Sequence, residues 1–405
     1  MPLRRPAAGW LVPFLLLAVS TADAQRLGPD VKRPRLAADA DQNDAAAYLA
    51  LGTRQIESSP STASEAFHWA ARLDPSSAEA LYGLAISRVM RKPTLLKLYF
   101  EGGRRARDNK ELRSLDSLRM RADRLDPFLY RRFDRAFLLA YYRNIIRNDA
   151  GGASQTDIDN YITDNLEALG SSTRAWLYYS QGRLPQALLE YDDAIKASKE
   201  PGYLRFDKAR VYYMQGLVKP ALDELVLALD ALRKHDDDTK DKVIFYDSKA
   251  IAEHGIGMLH LMLGQPDSAR SAFGRAMAED LSYFAAHVEL GRLALSEGDS
   301  TTATAELGLA AELATDEPWV QYLYGSTLVA TGNHADAIAP LRKAIALEPF
   351  YAAPHHALAQ ALQRAGDVAG AKASYGEFLR LASRSDPHRA PAAQALAALE
   401  GAPRP

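Results

Sequence analysis

The chain has no cysteine among its 405 residues. That excludes disulfides, thiol catalysis, thiolate zinc sites and lipoprotein acylation. It also has little net charge: 49 Lys and Arg stand against 51 Asp and Glu, a formal charge of −2. As a whole it is therefore no polyanion binder, although that balance is uneven along the chain. Catalytic motifs are missing too. The sequence contains no His-Glu-x-x-His, no Gly-x-Ser-x-Gly, no phosphate-binding Gly-x-x-x-x-Gly-Lys and no dinucleotide glycine fingerprint after a strand. His355 and His356 are adjacent, which on a helix turns them about 100° apart, away from a shared metal. His254 and His260 miss the three-or-four spacing that would put two ligands on one face. The Asp236-Asp237-Asp238 run lacks the glycine and closing Glu of a calcium loop. No cofactor or metal is expected, and no enzyme.

Long hydrophobic runs are scarce as well. Trp10 to Val19 is the apolar core of the first segment, preceded by Arg4 and Arg5 and followed by Ala22-Asp23-Ala24. A basic start, a short apolar run and a small-x-small site describe a secretory signal spanning 1–24, cleaved after Ala24. The run is shorter than the ~20 residues a spanning helix needs, although retention as an anchor stays open. Export to the bacterial periplasm or the outer-membrane periphery is the expectation, and nucleic acid is a disfavoured partner.

What is present is a rhythm. Gly264, Gly298, Gly332 and Gly366 each lie 34 residues after the one before. Ala269, Ala303, Ala337 and Ala371 follow each glycine at a constant distance. Phe273, Leu307, Leu341 and Tyr375 come next, then Ala276, Ala310, Ala344 and Phe378. A fixed period of this length indicates stacked copies of one supersecondary unit. Within Pro318–Tyr351, Gln321, Tyr324, Gly325 and Leu328 recur at three-to-four spacing on one helix face. Gly332 ends that helix, Ala337, Leu341 and Ala344 define a second, and Pro349 stops it. Small residues at Gly325 and Ala337 allow close approach, while Tyr324 and Leu341 fill the space beside it.

This pattern resembles the tetratricopeptide repeat family. The carrying residues are Leu290, Gly291, Gly298, Ala303, Leu307 and Ala310 in one unit. Gly257, Gly264, Ala269, Phe273 and Ala276 carry it in another, and Leu358, Ala359, Gly366, Ala371 and Tyr375 in a third. The resemblance implies an all-α fold, a right-handed superhelical solenoid of helical hairpins. Four units in register span 250–385, and two more span 168–235 through Gly182, Ala187, Tyr191, Gly216, Ala221 and Leu225. A charged insertion at 236–249, a protruding loop or an extended helix, separates the two groups. An N-terminal unit or units at 44–90 follows a polar linker at 25–43, with Leu51-Gly52, Ala63, Phe67, Ala70 and Pro75 fitting the pattern. Residues 386–405 supply a capping helix around Ala392 to Leu399 and a tail.

Residues 91–167 depart from the pattern. Phe133, Phe137, Tyr141 and Ile145 mark a long amphipathic helix after Pro127, and Ile158, Ile162, Leu166 and Leu169 another. Degenerate repeats and an inserted helical domain remain alternatives here. From Arg88 to Arg147 there are 17 Lys and Arg against 7 Asp and Glu. Such a surface could face anionic lipid or polysaccharide.

The resemblance also implies where a partner sits: on a concave groove formed by the inner helix of each pair. Carried onto this chain, the groove residues are Tyr203, Phe206, Arg210 and Tyr213, then His254 and Met258, then Arg292. Trp319 and Tyr322 continue the row, followed by His356, Gln360 and Arg364. Aromatic, methionine and arginine side chains favour protein contact, because they supply broad contact area and forked hydrogen bonding. The fifth-position residues are Phe206, His254, Val288, Tyr322 and His356. None is the Lys or Asn of a carboxylate clamp. The function expected is a non-enzymatic envelope scaffold or adaptor that binds a protein or peptide in this groove.

Overall fold

The computed structural model describes residues 27, 31–101, 103–150, 154, 156, 170–238 and 247–401. The expected signal and the helix expected around Ile158 to Leu169 lie outside them. The described secondary structure is helical throughout, with no strand among the described residues. The chain forms two compact units: one contains Gly52–Ser64 and Leu81–Asp280, the other Pro29–Leu51, Glu65–Ala80 and Leu281–Pro405.

The N-terminal helices are α1 (Ala45–Gln55), α2 (Pro60–Leu73), α3 (Ala78–Met90) and α4 (Pro93–Glu101). The irregular segment expected at 91–167 folds as α4 together with α5 (Gly103–Asp108), α6 (Lys110–Leu125) and α7 (Asp134–Ala150) among the described residues. Asn109 caps α6 by accepting from the Leu112 amide. Of the face predicted for α7, Phe137 packs against Tyr99 and Phe100, and Tyr141 stacks on Phe100 at 4.1 Å, while Phe133 lies just ahead of the helix start.

Six helical hairpins follow. They are α8 (Ser171–Ser180) with α9 (Leu184–Ala197), α10 (Gly202–Met214) with α11 (Val218–Asp238), and α12 (Asp247–Met262) with α13 (Pro266–Glu279). The second unit holds α14 (Phe284–Ser296) with α15 (Ser300–Leu313), α16 (Pro318–Ala330) with α17 (His334–Leu347), and α18 (Ala352–Arg364) with α19 (Val368–Leu381). Helix α11 runs to Asp238 over 21 residues, against 14 for α9 and α13, so part of the expected insertion extends a helix.

Every turn inside a hairpin is made the same way. Gly182, Gly216, Gly264, Gly298, Gly332 and Gly366 all have positive φ, between 68° and 87°, where a side chain would be strained. The amide after each glycine bonds back to a carbonyl one turn earlier, as Asn333 N does to Leu328 O at 2.8 Å. That closes the outgoing helix end and releases the chain into the next helix.

Across the hairpins Ala187, Ala221, Ala269, Ala303, Ala337 and Ala371 are wholly buried, and the six large residues after them are at most 3% exposed. A β-carbon at Gly291 would lie 2.6 Å from Leu307 Cγ, and one at Gly325 the same distance from Leu341 Cγ. These glycines set the distance between paired helices. The cap α20 (Arg389–Gly401) closes the array, with Ala392 buried against Ala359, Tyr375 and Phe378.

Candidate functional site

In the first unit the concave row is largely covered. The turn between α6 and α7, Asp126 to Tyr130, lies in it. The Phe128 ring stacks on Tyr213 at 4.3 Å with planes 14° apart. It also sits beside Gly255, where an added β-carbon would come within 3.3 Å of the ring. Arg210 is 4% exposed and locks the turn. Its Nε donates to Pro127 O at 2.8 Å, its Nη2 to Asp123 Oδ1 at 3.4 Å, and its Nη1 to Asp207 Oδ1 at 2.6 Å. Its guanidinium also covers the Phe206 ring at 4.4 Å. Tyr130 donates to Ser180 O at 3.0 Å and packs edge-on to Tyr179. Burial raises the Asp126 carboxyl above its ordinary range, against the pull of the Phe128 amide and Arg210. Phe206, Arg210 and His254 are thus enclosed, Tyr213 is partly covered, and Tyr203 and Met258 are half-buried.

The sequence gives no local sign of this filling. Asp126-Pro127 reads as a helix break, which it is, but the groove it fills is built from residues far along the chain. Aromatic residues at groove positions are as consistent with an internal occupant as with an external one.

In the second unit the row divides lengthwise. Toward the start of each inner helix it is covered: Val288 is 1% exposed and Trp319 6%, with Trp319 packed on Phe284. Tyr322 meets Tyr351 edge-on at 5.3 Å. His356 lies between Phe378 and His388, each 4.9 Å away, and burial with the neighbouring imidazole holds its pKa down. Toward the end of each helix the row is open. Arg292, Leu295, Gln360, Gln363 and Arg364 are exposed, and Ser326 and Val329 half so.

Segment 31–43, expected as a polar linker, is non-helical but firmly held. Arg33 lies over Trp69 at 4.5 Å and donates to Tyr48 Oη at 2.9 Å, while Trp69 Nε1 donates to Val31 O. Asn43 Nδ2 donates to Arg380 O at 2.9 Å, and Arg384 Nη2 to Asp39 O at 2.8 Å. Arg72 pairs with Glu348 at 3.2 Å and covers Phe350, which also meets Trp69 edge-on.

Much of the basic charge between Arg88 and Arg147 points inward. Arg131 and Arg121 are 4% and 7% exposed. Arg131 pairs with Asp123 at 3.2 Å, Arg135 with Glu57 at 3.0 Å and Lys92 with Glu111 at 2.7 Å. Arg119 pairs with Asp116 and bonds Tyr99 Oη. Asp134, 2% exposed, accepts from both Tyr82 Oη and Trp176 Nε1. The Arg131, Arg119 and Asp134 contacts are internal fastenings, while the Arg135 and Lys92 pairs lie at the surface. Among the described residues no cluster of three or more His, Asp or Glu could hold a metal ion.

Family comparison matches tetratricopeptide-repeat descriptions at residues 172–237, 254–318 and 320–351. The chain carries tetratricopeptide repeats. These repeats coincide with hairpins α8–α17, and the 34-residue spacing extends the same geometry to α18 and α19. No curated protein sequence matches the chain. Among solved structures it resembles YrrB, described as a TPR protein with an unusual peptide-binding site. That likeness has 17% identity, covers 51% of this chain and 98% of the other, and has a TM-score of 0.38. The C-terminal part of a TPR repeat-containing protein from Cytophaga hutchinsonii shows 16% identity over 52% of this chain and 78% of that one, TM-score 0.42. MamA shows 17% identity over 42% and 92%, TM-score 0.33.

Proposed function

We propose that this chain is a non-enzymatic scaffold of the bacterial cell envelope, exported by its N-terminal segment. Its C-terminal repeats hold an extended segment of a partner protein. The supporting observation is the open strip along α14, α16 and α18, where Arg292, Leu295, Val329, Gln360 and Arg364 remain accessible while the starts of the same inner helices are covered. Such a strip mixes apolar contact area with forked and amide donors, the chemistry of protein recognition. The anionic-surface alternative draws less support, because the arginines it would use are largely engaged internally.

The test is photo-crosslinking in the native envelope. Crosslinkers would be placed at Val329 and Gln360, with Phe206 as the enclosed control. One discrete protein captured from the first two positions alone supports the reading. Equal capture from all three, or none from Val329 and Gln360, overturns it.

A further inference from the structure

The first unit contains a worked example of how these repeats grip a segment of chain. On α10, Asp207, Arg210 and Tyr213 are spaced by three residues and share one face. Asp207 holds Nη1 of Arg210 at 2.6 Å. This orients the guanidinium so that Nε meets a backbone carbonyl, at Pro127, and Nη2 a carboxylate, at Asp123. Tyr213 carries the apolar side chain of the bound turn, Phe128. One triplet therefore recognises a carbonyl, an acid and an apolar group together.

Counted back from the turn glycines Gly216 and Gly298, α14 bears the same triplet in the same register: Glu289, Arg292 and Leu295. The internal half of the arrangement is already in place. Glu289 accepts from Arg292 Nη1 at 2.6 Å, the same contact and the same length as in α10. The external half is vacant of protein. Arg292 Nε and Nη2 have no partner among the described residues, the arginine side chain is 53% exposed, and Leu295 is 38% exposed. One difference sets the size of the seat. The Phe128 ring rests against Gly255 on the next inner helix. The register equivalent on α16 is Leu323, which carries a side chain where the first unit has none.

We infer that Glu289, Arg292 and Leu295, with Leu323 and Val329 beside them, form a docking site for a turn of a partner protein that pairs an acidic residue with an aliphatic one. Arg292 takes the acid and a backbone carbonyl, and Leu295 takes the aliphatic side chain. The site resembles the one filled by Asp123 to Phe128, but is shallower, so leucine fits it better than phenylalanine. This rests on the reading that the C-terminal repeats hold a partner, and gives that partner a chemistry.

The chain's own sequence supplies the probe. Two peptides covering residues 123–131 would be titrated against the full chain by isothermal calorimetry or fluorescence anisotropy, one native and one carrying Phe128→Leu. Binding is expected from both, with the leucine peptide the tighter. Arg292→Ala should weaken it by about tenfold or more, as loss of two charge-assisted hydrogen bonds requires. Arg292→Lys should recover only part, since an ammonium cannot make the fork. The melting temperature should stay unchanged in both variants, because Arg292 is exposed. No binding by either peptide, or binding indifferent to Arg292→Ala, overturns the inference. Tighter binding of the phenylalanine peptide overturns its size rule. Crosslinked capture of a partner at Val329 together with peptide indifference would sink this site while leaving the scaffold reading intact.

Discussion

A β-carbon built at Gly325 would stand 2.6 Å from Leu341 Cγ, closer than real β-carbon contacts come, and 3.4 Å from the Ala337 carbonyl. At Gly308 on α15 the nearest atoms belong to Tyr324, at 3.5 Å, which is ordinary packing. The two glycines should therefore respond oppositely to the same methyl group. Gly325→Ala is expected to cost about 1–3 kcal/mol through overpacking. Gly308→Ala should be neutral or stabilising by up to about 1 kcal/mol, from helix propensity. Thermal melts of the two variants check this pair directly. Asp116 makes a prediction in pH instead. Burial raises its carboxyl to about 6, against an ordinary 3.8, with Arg119 pulling the other way. The charged form is thus disfavoured in the fold, so the cost is absent well below pH 4 and fully present above pH 6. Asp116→Asn should match the wild type at pH 4 and become progressively more stable than it toward pH 7. A melting-temperature gap that shrinks over that range would refute the assignment.

Among elements, the α6–α7 turn carries more than its length suggests. Phe128 is 2% exposed and its ring joins Tyr213 and Gly255, from two repeat helices. Phe128→Ala should destabilise by about 3–5 kcal/mol, as a large truncation in a filled site does. Denaturant unfolding followed by tyrosine fluorescence would measure it. A loss below about 1 kcal/mol would mean that the turn rests on the groove without filling it. Helix ends give a smaller, cleaner case. Asp299 accepts from the Thr302 amide and caps α15, and Asp299→Ala should cost about 1 kcal/mol. The repeat helices were legible in the sequence because their determinants are local: a turn glycine, a small residue facing it, a large one beside it, all within one period. The Asp126 to Tyr130 docking was not, because its partners Tyr213 and Gly255 lie far away in sequence and nothing near Phe128 points to them. The same holds for segment 31–43. Its charged and proline-bearing sequence reads as a linker, yet Arg33, Asp41 and Asn43 are spent on contacts with Trp69, Arg384 and Arg380.

For the molecule as a whole, composition and placement of charge disagree, and placement governs. A count of 17 Lys and Arg against 7 Asp and Glu between Arg88 and Arg147 suggests a cationic face. Ion pairs, aromatic contacts and buried carboxylates absorb much of it. The purified chain is accordingly expected to show no enrichment on phosphatidylglycerol vesicles in a flotation assay at physiological salt, where weak residual attraction is screened beyond about 8 Å. Salt-sensitive co-flotation would instead restore the anionic-surface reading. Seven of the twelve groove residues expected from the repeat register are enclosed or stacked against the chain itself. The open ones gather along α14, α16 and α18. Sequence could nominate the row, since the row follows from the period. It could not say which stretches the chain had already taken.

Phe128 precedes the groove that receives it, and that order has a consequence in time. During synthesis, and again if the chain is threaded unfolded across a membrane, Asp126 to Tyr130 emerges long before α10 and α12. Until Tyr213 and Gly255 follow, an aromatic and aliphatic turn has no seat. The helices on either side of it can form, but the first unit cannot close from its leading end. Its completion waits for a later part of the chain to come back to an earlier one.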